Sequence, residues 1–125
     1  MSLSVSVYEK EPGIYILTPD GSLDTNTYQI LETEVETILK EDPFVLIFDL
    51  EKLKYISSMG IRVVIKASKS LKEVNGKLIL TNLQPQIEKV FEIIKALPNH
   101  RVFKNTDEMD SYLNKIQNKI IEDKS

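Results

Sequence analysis

The chain has 125 residues, enough for one compact domain with a single hydrophobic core. Its apolar share of 42% and charged share of 28% are typical of water-soluble globular proteins, and no apolar run is long enough to cross a membrane. The lack of cysteine excludes disulfides, thiolate nucleophiles and sulfur-ligated metal centres, and one histidine, His100, cannot build a multi-histidine metal site. We therefore expect a single domain over 1–125, ordered over about 4–119, without metal or other cofactor.

The formal net charge of −3 hides a segregation of charge along the chain. Acidic side chains cluster between residues 32 and 42, and basic side chains crowd residues 52 to 77. Such segregation can steer a protein partner, but an ordinary solvated surface also produces it. Nucleic acid is a weaker candidate, because the chain is neither net basic nor rich in interleaved aromatics. No basic stretch followed by an apolar segment opens the chain, so the cytoplasm is the expected location.

The first third of the chain predicts a hairpin, a helix and a central strand. Ser4–Tyr8 and Ile14–Thr18 have strand patterns on either side of a Pro-Gly turn signal, which indicates an antiparallel hairpin. Apolar residues then recur at helical spacing, with Asp24 or Thr25 as N-cap and a stop before residue 43, so this helix should have about four turns. Phe44–Phe48 is an unbroken apolar run, typical of a central strand covered on both faces.

The remaining segments alternate helices with strands. A loop over residues 50–58 leads into a second helix that ends at Asn75-Gly76, and the strand Lys77–Thr81 follows. Pro85 opens a third helix, which ends before residue 98, and Val102-Phe103 is a short strand. Thr106 caps a last helix, and the tail after residue 121 should fray. The predicted inner face of this last helix consists of Met109, Tyr112, Leu113, Ile116 and Ile120. The pattern predicts an α/β fold with a mixed, mostly parallel sheet of four to five strands and about four helices.

Two adjacent hydroxyls stand where the second helix begins. Ligand sites in α/β sheets lie beyond the carboxyl ends of parallel strands, so the segment that ends at Ser57-Ser58 is the first place to look. Either serine can serve as a plain N-cap. The same position also favours added negative charge and can bind phosphate. Spacing alone leaves both interpretations open.

The sequence gives little indication of a catalytic site. Ser57 and Ser58 have only His100 as a histidine base, and the flanking residues do not form the Gly-x-Ser-x-Gly pattern of serine hydrolases. Asp20, Asp24 and Asp49 could meet at one end of the sheet, but carboxylates are common at such positions and need no ligand. Four scattered glycines form no nucleotide-binding loop. The sequence therefore predicts a protein that is not an enzyme.

From about Ser4 to Lys119 the chain resembles a STAS domain, the module of bacterial anti-sigma factor antagonists. Gly21-Ser22-Leu23-Asp24 is similar to the family's Gly-x-Leu-Asp before the first helix, and Val45–Leu50 is similar to its central strand. Tyr55–Ile61 is similar to the family's segment with Asp-Ser-Ser or Asp-Ser-Thr followed by Gly-Leu-Gly. The first serine after that Asp is the family's phosphorylated residue, and it falls at Ser58. Asn75–Leu80 and Pro85–Ile94 also look like the family's next strand and helix.

Two departures from the family pattern flank this position. The family's Asp falls at Ser57 and its second Gly falls at Arg62. Loss of the carboxylate can change kinase recognition of Ser58, let Ser57 serve instead, or mean that this chain is not phosphorylated. Arg62 lies one helical turn after Ser58, so its guanidinium could reach a phosphate there, or it could be a solvated charge.

The resemblance implies partner switching. The unphosphorylated domain would bind an anti-sigma factor with serine kinase activity and free a sigma factor, phosphorylation would end the association, and a serine phosphatase would reset it. Under this interpretation the domain is a monomer or weak dimer and binds neither nucleic acid nor membrane. The alternative is a STAS scaffold or an accessory module of another signalling or transport complex. The implied partner-binding residues are Gly21, Asp24, Thr25, Ser57, Ser58, Met59, Arg62 and Lys66.

Overall fold

Five strands and four helices follow one another along residues 2–96 and 105–124, the part of the chain that this computed structural model describes. The strands are β1 (Leu3–Glu11), β2 (Ile14–Leu23), β3 (Val45–Asp49), β4 (Leu53–Ile56) and β5 (Lys77–Thr81). The helices are α1 (Tyr28–Leu39), α2 (Ser58–Glu73), α3 (Pro85–Ala96) and α4 (Thr106–Lys124). The predicted α/β class, with a mixed sheet and an opening hairpin, is confirmed.

Strand β2 pairs with three other strands. It is antiparallel to β1 and parallel to both β3 and β4, while β5 continues the sheet beyond β3 in parallel. The first half of β2 lies opposite β3, from Ile14↔Val45 onward, and its second half lies opposite β4, ending at Leu23↔Ile56. Strand β3 is therefore interior, as predicted, and the carboxyl end of β4 lies beside the carboxyl end of β2.

Two predictions about the strands need correction. The predicted loop over residues 50–58 contains β4, whose end residues Leu53 and Ile56 are buried in the core. Strand β3 begins at Val45, because Phe44 lies outside the ladder with 71% of its surface exposed. Coverage of β3 is also unequal, since Leu46 on one face is fully buried and residues 45, 47 and 49 on the other face are only partly buried.

Helix α1 begins later than predicted. Its N-cap is Thr27, and no side chain makes a capping bond there. Asp24 instead folds the preceding turn, because its Oδ1 accepts from the backbone N–H groups of Asn26 (2.8 Å) and Thr27 (3.1 Å). The Thr27 hydroxyl donates to the Ser22 carbonyl at 2.7 Å. The turn after β2 is therefore held by its own side chains.

The last two helices largely follow the sequence pattern. Pro85 opens α3, whose inner residues Ile87 and Val90 are fully buried. Helix α4 continues to Lys124, so the tail that was expected to fray is helical up to that residue. On α4, Tyr112 is 42% exposed rather than internal, and the fully buried side chains are Leu113 and Gln117. The predicted strand Val102-Phe103 lies outside the described residues.

Helix α2 approaches the sheet closely at Gly60. A Cβ atom on this residue would lie 2.7 Å from Leu23 Cγ and 2.9 Å from Ile56 Cγ1, and both side chains are fully buried. Such distances lie well inside van der Waals contact. The missing side chain therefore lets the first turn of α2 rest on the ends of β2 and β4.

We expect Gly60→Ala to destabilise the domain although alanine is the better helix former. The helix gains about 1 kcal/mol from the higher propensity of alanine, but crowding Leu23 and Ile56 costs about 1 to 3 kcal/mol, so a net loss of about 1 kcal/mol is expected. Urea denaturation followed by circular dichroism measures the free energy of unfolding. Lys69→Ala at an exposed position of α2 is the control. Equal stability of Gly60→Ala and wild type would contradict the close approach.

Candidate functional site

The two serines lie where sequence reasoning expected them, at the start of α2. The Ser57 N–H donates to the Leu23 carbonyl at 2.8 Å, which ties this helix start to the end of β2. Ser57 is extended, with φ −96° and ψ 175°, and its Oγ accepts a long bond of 3.4 Å from the Gly60 N–H. Ser57 is therefore the N-cap of α2, and its hydroxyl is in use.

Ser58 is the first residue of α2, and its hydroxyl is in a different situation. The residue is only 5% exposed, and its buried Oγ has no hydrogen-bond partner within the described residues. Its backbone N–H donates to Oδ1 of Asp110, on α4, at 2.9 Å. A carboxylate from α4 thus occupies the amide that a capping group or an anion would otherwise use.

Helix α4 contacts the segment that carries the two serines. The Gln117 side chain accepts from the Ile56 N–H at 2.9 Å and donates to the Ile56 carbonyl at 2.8 Å, so α4 is held on the residue just before Ser57. Both serines are buried, since Ser57 is only 2% and Ser58 only 5% exposed.

Negative charge surrounds this helix start. Burial raises the pKa of the Tyr55 phenol above its ordinary value of 10.0, and the charges of Asp110 and Asp24 raise it further. Tyr55 therefore keeps its proton at neutral pH. The two carboxylates that act on it come from α4 and from the turn after β2, so both segments bring acidic groups to the end of β4.

Three predicted partner-binding residues share a groove between α1 and α2. Met59, Arg62 and Lys66 line it from α2, facing α1, and its volume is about 110 Å³. The α1 side includes Tyr28 and Glu32. Arg62 and Lys66 are exposed, and Met59 is half-buried. The described structure shows no ion pair at Arg62, so this basic surface is open beside the serines.

The other predicted partner-binding residues lie around the end of β2. Gly21 has φ +121°, and a Cβ there would collide with the Ser2 carbonyl oxygen, so this glycine is required by the sheet. Asp24 is partly buried and holds the turn, whereas Thr25 is exposed. The turn lies next to the serines because Leu23 bonds to Ser57. Only Thr25 of this group offers a freely exposed side chain.

Sequence reasoning missed Asp110 and Gln117. Their partners, Ser58 and Ile56, are 52 and 61 residues away along the chain, and no local pattern encodes such pairs. One signal existed for Gln117, because it lies four residues after Leu113 on the predicted inner face of α4. A polar residue on a buried helical face needs a hydrogen-bond partner.

Within residues 2–96 and 105–124, no group of three or more acidic or histidine side chains is placed to hold a metal ion. Over the same residues no helix has the length and apolar character needed to cross a membrane. The only histidine, His100, lies outside the described residues.

Residues 6–109 match the family model of the STAS domain. BtrV of Bordetella bronchiseptica, assigned as an anti-sigma factor antagonist, is 35% identical over 68% of this chain and 73% of its own length. The anti-sigma-B factor antagonist of Listeria monocytogenes is 27% identical over 74% of this chain and 82% of its own. The anti-sigma factor antagonist SpoIIAA, solved unphosphorylated and phosphorylated, superposes with a TM-score of 0.63 at 22% identity, covering 72% and 73% of this chain and 83% of its own.

A mixed sheet that presents a helix start at the carboxyl end of a parallel strand, together with the match over residues 6–109, defines the class of domain. The chain belongs to the STAS domain family. The resemblance found in the sequence is therefore confirmed, and the relatives named above are anti-sigma factor antagonists.

The two serines should differ in their contribution to stability. Ser57→Ala removes the N-cap bond and is expected to lower the free energy of unfolding by about 1 kcal/mol. Ser58→Ala removes a buried hydroxyl without a partner, so stability should stay unchanged or rise. Urea denaturation of the two variants beside wild type tests the contrast. An equal loss in both variants would mean that the Ser58 hydroxyl has a partner in solution.

Proposed function

We propose that this chain is an anti-sigma factor antagonist. It binds an anti-sigma factor with serine kinase activity through the surface around the start of α2, and phosphorylation of Ser58 ends the association. A serine phosphatase restores the binding form. The domain itself is a substrate and has no catalytic residue.

The observation that supports Ser58 as the acceptor is the contrast between the two hydroxyls. The Ser57 Oγ is engaged as the N-cap, whereas the Ser58 Oγ has no partner among the described residues. Phosphorylation of Ser57 would remove the N-cap bond, whereas phosphorylation of Ser58 would break no hydrogen bond of its hydroxyl to a described residue. Ser58 also corresponds to the serine that is phosphorylated in the family that the sequence resembles.

Phosphoryl transfer to this residue needs ATP bound to the kinase partner. The Ser58 Oγ attacks the γ-phosphorus, the new O–P bond forms as the bond to the β–γ bridging oxygen breaks, and ADP leaves. The hydroxyl proton passes to the catalytic base of the kinase. The product adds a charge of about −1.5 to −2 to the surface that binds the partner, and this opposes binding.

The departure at Ser57 is compatible with this function. Asp and Ser are both strong N-cap residues, and Ser57 forms the capping bond that an Asp would form at the same position. The exchange therefore keeps the helix start and removes one negative charge beside Ser58. Since Asp110 and Asp24 already place negative charge at the end of β4, this removal eases the addition of a phosphate.

The exposed cations next to the site favour an acidic surface on the partner. Arg62 and Lys66 stand open on α2 beside the groove that faces α1. Rim charges of this kind accelerate encounter with a surface of opposite charge. The implied interface extends from these residues across Met59 to Thr25.

A scaffold or accessory STAS module is the second candidate, and the burial of both serines favours it. A buried hydroxyl is not open to a kinase in this arrangement. Co-purification from the source cell separates the candidates. An anti-sigma factor among the bound proteins supports the antagonist, and a membrane transporter supports the accessory module.

Phosphate should be located on Ser58. Wild type, Ser58→Ala and Ser57→Ala are incubated with ATP and an extract of the source cell, and mass spectrometry maps the modified residue. We expect modification of wild type and of Ser57→Ala and none of Ser58→Ala. Modification of Ser58→Ala but not of Ser57→Ala would move the site to Ser57. Binding of an anti-sigma factor without any modification would contradict the phosphorylation switch.

Charge reversal at Arg62 should weaken partner binding. We expect Arg62→Glu to slow association about tenfold at low salt, with a smaller effect at high salt, because the charge lies at the rim and is screened. Lys77→Glu is the matched control, since it makes the same charge change at the amino end of β5, whereas α2 begins at the carboxyl end of β4. Surface plasmon resonance with the captured anti-sigma factor measures both rates. Identical association of the two variants would contradict a steering role for Arg62.

A further inference from the structure

Helix α4 is attached to the functional site by two side chains that bracket the serines. The Asp110 carboxylate accepts the Ser58 N–H at 2.9 Å, and the Gln117 amide makes both an accepting and a donating bond to Ile56. Gln117 is fully buried, and its Nε2 also approaches the Leu113 carbonyl at 3.2 Å. The contact is therefore specific, and two residues of α4 supply the hydrogen bonds to Ile56 and Ser58.

The Ser58 hydroxyl at this contact gains no free energy from being buried. The Ser58 Oγ is enclosed without a hydrogen-bond partner in the described structure, and an enclosed hydroxyl of this kind costs free energy. When α4 moves away, water satisfies this hydroxyl together with the backbone groups of Ser58 and Ile56. Release of α4 thus removes the free-energy cost of burying the Ser58 hydroxyl. This gain offsets part of the free energy that is lost with the apolar contact.

A phosphate on Ser58 and the docked α4 exclude one another. An enclosed oxygen cannot align with the γ-phosphorus of a bound nucleotide, so transfer requires an open state. Once transferred, the phosphate adds a charge of about −1.5 to −2 to a residue whose amide already contacts the Asp110 carboxylate. Like charges at this separation disfavour docking.

We propose that α4 is a displaceable cover that gates Ser58: the docked helix blocks access to the hydroxyl, and phosphorylation holds the helix away. The block on access rests on the burial of Ser58 and its bond to Asp110, and the effect of phosphorylation rests on the proposed function. The first can therefore be measured without a kinase.

Access is measured with a single thiol. The chain has no cysteine, so Ser58→Cys introduces the only thiol, and its rate of reaction with an aromatic disulfide reports how often α4 opens. We expect labelling far slower than in urea. Adding Gln117→Ala removes both side-chain bonds to Ile56 and should accelerate labelling at least about tenfold. Asn118→Ala, a neighbouring exposed amide on α4, should change it less than about twofold.

Global unfolding is separated from release of α4 by a second thiol. Ala67→Cys lies on α2 in the hydrophobic core, and Ala67 is only 2% exposed. Gln117→Ala should leave its labelling rate unchanged if only α4 opens. Equal acceleration at positions 58 and 67, or labelling of Ser58→Cys in the native protein as fast as in urea, would overturn the cover.

The second measurement is the rate of phosphorylation, and it uses variants that keep Ser58. Gln117→Ala should be phosphorylated at least about tenfold faster than wild type and Asn118→Ala at the wild-type rate, in the same extract with ATP. Equal rates in all three would overturn gating while the proposed function stands. Faster thiol labelling with no phosphorylation of any variant would leave the cover in place and remove the proposed phosphorylation.

Discussion

The pairing of β2 with two parallel strands placed end to end positions every other part of the site. Residues 14–17 of β2 pair with β3 and residues 21–23 pair with β4, so the chain that leaves β3 returns to the same strand further along. The Ser57 N–H then continues that pairing onto the Leu23 carbonyl. Helix α2 has to begin at this point, and the absence of a side chain at Gly60 allows its first turn to rest on both strand ends.

Two adjacent residues at the helix start make different hydrogen bonds. The Ser57 side chain caps the helix. The Ser58 N–H donates to a carboxylate of α4, while the Ser58 hydroxyl has no hydrogen-bond partner among the described residues. Two separate segments, the turn at Asp24 and helix α4, supply the acidic groups that act on Tyr55. The site is thus a junction of three chain segments, and its electrostatics change when one of them moves.

Periodicity and turn chemistry predicted most of the fold, because the hairpin, α1, β3, α2, β5 and α3 have local patterns. Strand β4 was missed because four residues between a short connection and a helix are too few to show an alternation. The start of α1 was misplaced because the Asp24 side chain bonds to backbone amides in a turn as it would in an N-cap. The helix start at the serines was predictable from capping, whereas their burial depends on Asp110 and Gln117, which pair across more than 50 residues.

The paired bonds between Gln117 and Ile56 also bear on how the sheet ends. Strand β4 pairs only with β2 among the described strands, and an unpaired strand edge can recruit an extended segment of another chain. One side-chain amide that both donates to and accepts from the same residue takes the role of a neighbouring strand at that residue. Since β4 has four residues and runs directly into α2, this edge is too short to nucleate strand addition.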